Sequence, residues 1–112
     1  MALLPGTDPA MRSQYLVIGA HFDHLGRSAF DALDPEAKDA IRHGADDNAS
    51  GTAAILDLAR RFHAAPAPRP ILFVNFSGHT LGDLRSASFV QHSPLPAHST
   101  DPLLTLHTAA AL

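Results

Sequence analysis

The sequence predicts an α/β fold with a parallel-type sheet flanked by helices. Three observations carry that prediction. Two short apolar runs, Tyr15-Leu16-Val17-Ile18-Gly19-Ala20 and Ile71-Leu72-Phe73-Val74-Asn75-Phe76, read as strands buried on both faces. Between them, residues 52–63 set Ile55, Leu58, Ala59 and Phe62 at helical spacing. The order strand, helix, strand, helix, strand then calls for parallel strands joined by crossovers.

Residues 1–14 read as a lead-in, with Pro5, Gly6 and Pro9 but no expected element. They lack a basic start followed by a long apolar run, so they do not read as a signal peptide. Residues 15–112 read as one partial domain. After the first strand, His21 to Gly26 form a loop. A short helix is expected over 35–41, with Pro35 at its first position. Asp46-Asp47-Asn48-Ala49-Ser50-Gly51 reads as a helix entrance, since Asn and Ser cap well and acids suit the first turn. Arg60 and Arg61 close that helix, and Pro66, Pro68 and Pro70 stop it. Ser77-Gly78 ends the second strand. A second helix is expected within 81–92, with Leu84, Ala87, Ser88 and Val90 facing inward. A proline-punctuated loop, 93–102, leads to a third strand over 103–106.

Composition narrows the function. A chain of 112 residues suits one domain with a modest core. The formal net charge of −3, without a basic block, points away from nucleic acid and from a polybasic membrane footprint. No run of about 18 apolar residues predicts a transmembrane helix. The absence of cysteine excludes disulfides and thiolate ligands, and leaves the compartment open. Eight histidines hint at a metal site, although histidine is also a common surface residue.

In parallel α/β sheets, ligands gather beyond the carboxyl ends of the strands. His21, Asp23, Ser77, His79 and His107 each follow a predicted strand, and Asp46 and Asp47 stand at a helix entrance on the same side. His21-Phe22-Asp23-His24 suits zinc, through a neutral ring nitrogen with a carboxylate behind it. Alone, the tetrapeptide reads more readily as a solvated loop. Asp46-Asp47-Asn48 alone is explained by helix capping.

Together the segments are more specific. Gly19-Ala20-His21-Phe22-Asp23-His24-Leu25-Gly26, then Gly44-Ala45-Asp46-Asp47-Asn48-Ala49-Ser50-Gly51, then the line from Phe73 to Gly82 occur in order. This resembles the M28 metallopeptidases, the co-catalytic zinc aminopeptidases, over about residues 15–96. The resemblance implies the core of such a domain, two zinc ions and a peptide or aminoacyl substrate. His21 matches the first histidine ligand, Asp23 the acid that supports the site from behind it, and Asp47 the aspartate bridging the two ions. Asp46 precedes the bridging position. An anion between two cations about 3.5–4 Å apart offsets their repulsion.

The sequence also departs from the family. Where the family reads Ser-Gly-Glu-Glu-Leu-Gly, this chain reads Ser77-Gly78-His79-Thr80-Leu81-Gly82. His79 stands at the general base and Thr80 at a zinc ligand. Histidine accepts a proton near neutral pH, with a reach unlike that of glutamate, and threonine is a poor zinc ligand. Thr105-Leu106-His107-Thr108 sets His107 where the family carries another aspartate ligand; an exposed tail histidine fits equally. The family's last histidine ligand lies beyond residue 112. His24, His43, His63, His92 and His98 read as surface residues, and Ser77 lacks the histidine–carboxylate pair of a nucleophile.

The expected function is zinc-dependent removal of an N-terminal residue from a peptide, with little turnover. The alternatives are a catalytically silent metal-binding or interaction module, and an incomplete gene product without independent function. Exposed sheet edges favour self-association.

Overall fold

The computed structural model describes residues 1–27, 32, 34–37, 39–77, 89, 95 and 100–106. Their elements run β1 (Ala2–Leu4), β2 (Tyr15–His21), α1 (Gly51–Ala64), β3 (Ile71–Phe76) and β4 (Thr100–Thr105). The sheet order is β1-β3-β2-β4. β2 runs parallel to both β3 and β4, whereas β1 lies antiparallel to β3. The sheet is therefore mixed, not the parallel-type sheet that the sequence predicts. The antiparallel strand comes from the lead-in, where no element is expected. That segment is tied down further: Thr7 and Asp8 donate their backbone N–H groups to the carbonyls of Ala67 and Pro68.

The α-helix α1 follows the irregular segment Ala45–Ser50, and a 3-10 turn, Pro9–Met11, stands in the lead-in. α1 packs Ile55 against Ile18, Ala20, Ile71 and Phe73, with Leu58, Ala59 and Phe62 alongside. Burying a side chain such as Ile55 contributes about 1.5–3 kcal/mol. The other sheet face buries Val17, Leu72, Val74 and Phe76 against Phe89 and Leu95. The Phe89 ring meets Phe76 edge-on, with centroids 5.7 Å apart. Cover on both faces explains why β2 and β3 are apolar without alternation. Apart from Phe89, the helix expected within 81–92 falls outside the described residues.

β4 begins three residues earlier than expected. Its pairing steps from Tyr15↔Thr100 to Val17↔Leu103, so one extra residue bulges at Asp101-Pro102. Proline carries no N–H for the ladder, and bulges and edges are where strands tolerate it.

The short helix expected over 35–41 does not form among the described residues. Two successive turns replace it, closed by Ala37 N–H to the Asp34 carbonyl and Ala40 N–H to the Ala37 carbonyl. The reason lies in Arg42, whose guanidinium donates to the carbonyls of Asp34, Ala37 and Ala40 and to the Asp34 carboxylate. It thus binds carbonyls that a helix would use itself. The Arg42 N–H also donates to the Gly26 carbonyl at 2.7 Å, closing this loop at its base.

Parallel pairing sets the carboxyl ends of β2 and β3 side by side, with His21 opposite Phe76. The first turn of α1 reaches the same end, because the Thr52 hydroxyl donates to the His21 carbonyl at 3.3 Å.

Candidate metal centre

His21 is the last residue of β2 and is 3% exposed. Its Nδ1 lies 3.0 Å from the Asp23 carbonyl oxygen, whereas the Asp23 carboxylate is farther, at 3.8 Å. A carbonyl oxygen only accepts, so Nδ1 carries the proton in this contact. Asp23 thus orients the ring chiefly through its backbone.

Nε2 of His21 faces Asp47, with Oδ1 at 3.2 Å. In the neutral Nδ1–H ring, Nε2 is a lone pair facing an anionic oxygen. A positive charge, a proton or a metal cation, is what makes that approach favourable. Two donors on one tetrahedral zinc, each about 2.0–2.1 Å away, stand about 3.3 Å apart. The observed 3.2 Å separation fits that donor set.

Asp47 reaches this position through an irregular entrance to α1. Gly44 adopts the left-handed region, at φ +62° and ψ +44°, which glycine enters without a steric penalty. The chain then makes a wide turn over Ala45–Ser50, in which Asp47 and Asn48 leave helical geometry and their peptide bond is cis. Asn48 is 1% exposed. Its side-chain oxygen accepts the Gly51 N–H at 3.0 Å, and its amide nitrogen donates to the Leu106 carbonyl at 2.9 Å. One side chain therefore satisfies the first N–H of α1 and fastens the helix beside the end of β4. Gly51 gives it room, since a Cβ there would collide with the Asn48 side-chain oxygen.

The sequence-derived candidates separate into three groups. His21 and Asp47 come together, with Asp23 behind the ring. Asp46 is exposed, and its backbone carbonyl accepts the Ser50 hydroxyl at 2.7 Å. His79, Thr80 and His107 lie outside the described residues. Among the described residues, no three His, Asp or Glu side chains form a metal-holding group.

His24, which reads from sequence as loop surface, stands closer to the site than that. Its Nδ1 is 3.6 Å from Oδ2 of Asp47. The available signal was its place in the same loop as His21, three residues on. Spacing alone does not reveal the turn at Gly44 that brings Asp47 beside it. Two apolar hollows among the described residues lie elsewhere, one bordered by Met1, Ile55 and Phe73, the other by Met11, Leu16 and Phe62.

Comparison with known proteins agrees with these motifs. Residues 1–109 match the family model described as Peptidase family M28. The aminopeptidase YwaD of Bacillus subtilis (strain 168) is 41% identical over 49 residues, which are 44% of this chain and 11% of that protein. The shared stretch is thus a small part of that relative's length. With nearly its whole length matched by the family model, the chain belongs to peptidase family M28.

Proposed function

We propose that this chain carries part of the metal-holding machinery of a zinc aminopeptidase, with His21 and Asp47 as zinc donors and a peptide's N-terminal residue as substrate. The observation that carries the reading is the approach of His21 Nε2 to Asp47 Oδ1, at 3.2 Å, beside the carboxyl ends of parallel strands. Membership of the peptidase family supports the reaction class, hydrolysis of a peptide bond. Zinc, when bound, polarises the scissile carbonyl and lowers the pKa of its water. The chain's own residues orient and hold: the Asp23 carbonyl fixes the His21 ring, and Asn48 and Gly44 fix the Asp47 backbone. In this reading His79 occupies the place of the proton acceptor, and His107 is a further donor.

A second reading, a metal-binding module without turnover, is favoured by His79 and Thr80, which stand where the family carries its two glutamates. Either way, zinc binding is weak, because stable sites use three or four ligands. Any pairing between copies would use the outer edges of β1 and β4, the outermost of the described strands.

Calorimetric titration with zinc, repeated on His21→Ala and Asp47→Ala, tests the donors. Both substitutions should weaken binding by at least about tenfold, the effect of losing even a supporting partner. Equal affinity in all three proteins would remove His21 and Asp47 from the site.

A further inference from the structure

The two oxygens of Asp47 face different histidines. Oδ1 lies 3.2 Å from Nε2 of His21, and Oδ2 lies 3.6 Å from Nδ1 of His24. The second separation is also close to the roughly 3.3 Å between two donors on one tetrahedral zinc. Building on the proposed roles of His21 and Asp47, we infer that His24 is a metal donor on the Oδ2 side of Asp47.

Three features support the assignment. First, the two histidines address opposite oxygens of one carboxylate, which suits a carboxylate shared between two cations. Second, the His24 side chain is 24% exposed and that of Asp47 is 47% exposed, so hydrated ions can reach both. Third, the His24 position is built into the backbone. A Cβ on Gly44 would lie 2.5 Å from the Cβ of His24 and would also collide with the Asp47 carbonyl oxygen. The bare, left-handed Gly44 makes the space in which His24 approaches Asp47.

The chemistry is that of a borderline cation such as zinc, which accepts imidazole and carboxylate together. A nitrogen donor here partly replaces the ligand lost where Thr80 stands. His24 contributes through Nδ1, while His21 contributes through Nε2.

Long-range proton–nitrogen NMR spectra of the histidine rings test this on the full, unmodified chain. Saturating zinc should shift Nδ1 of His24 and Nε2 of His21. Calorimetry on His24→Ala should show zinc affinity at least about tenfold lower, or one equivalent of zinc lost. The exposed helix histidine, varied as His63→Ala, should bind as the parent does. Zinc shifts confined to His21, with an unchanged His24→Ala titration, would overturn the inference and leave the His21–Asp47 reading intact. No zinc response at either ring would overturn both. If His24→Ala does not fold, the ring spectra of the unmodified chain decide alone.

Discussion

At Gly44, backbone conformation and site geometry meet in one residue. An L side chain in the left-handed region costs roughly 1–2 kcal/mol. A Cβ there also meets His24 and the Asp47 carbonyl, so both residues must move. Gly44→Ala should therefore lower stability to urea by more than about 1 kcal/mol and weaken zinc binding together. An unchanged urea midpoint would show that the turn relaxes freely, and would sink the argument. The residues were unequally legible in the sequence. His21 and Asp47 stand in long motifs whose chemistry is readable, and the structure sets them 3.2 Å apart. Asn48 reads as a cap, and it does accept the Gly51 N–H. Its bond to the Leu106 carbonyl crosses 58 residues and has no local signal. The approach of His24 to Asp47 depends on one backbone angle at Gly44, which motif spacing does not encode.

Elements were legible where their local pattern is strong. β3 occupies the predicted residues, β2 extends one residue further to His21, and α1 buries Ile55 as its periodicity requires. β1 escaped because three residues are too few to show a period, and only pairing with β3 makes them a strand. The segment 35–41 misled because its proline and acids suit a helix, while the Arg42 guanidinium takes its carbonyls. On the outer face of α1, Asp57 accepts hydrogen bonds from Arg60 and Arg61. These bonds, first from Arg60 and then from Arg61, hold its carboxyl below the usual aspartate value. A carboxyl depressed in the folded state stabilises above its unfolded pKa, about 3.9, and stops doing so as pH falls through its folded value. The stability difference between the parent and Asp57→Asn should stay level from neutrality to about pH 4 and close below it. The pair is exposed, so the difference should be small and should shrink in salt. A difference that widens below pH 4 would contradict the pairing.

For the molecule as a whole, the α/β class was legible in the sequence, as was the approach of His21 and Asp47 at the carboxyl end of β2; His79 and His107 lie outside the described residues. The mixed sheet was hidden because strand direction at an edge follows from tertiary pairing, here Ala2–Leu4 against β3. Among the described strands, each outer edge limits how far another copy can pair: β1 has three residues, and β4 is broken by the bulge at Asp101-Pro102. Turnover is also a property of the whole chain. A positioned general base supplies about 10²–10⁴-fold of rate. On the proposed assignment, His79 stands at the base's position and Thr80 at a ligand's, and weak zinc binding would further reduce the charge available to activate water. The 112-residue chain should therefore release little chromogenic leaving group from aminoacyl substrates, even with zinc supplied. His79→Glu combined with Thr80→Glu should raise zinc affinity, because a carboxylate then stands where threonine contributes no strong donor. Its turnover need not rise in step, since affinity and proton transfer depend on different geometry. Calorimetry and the chromogenic assay, run side by side with a chelator control, separate the two quantities. Robust, chelator-sensitive turnover by the unmodified chain would make His79 or another residue an effective base, and would rule out the silent-module reading.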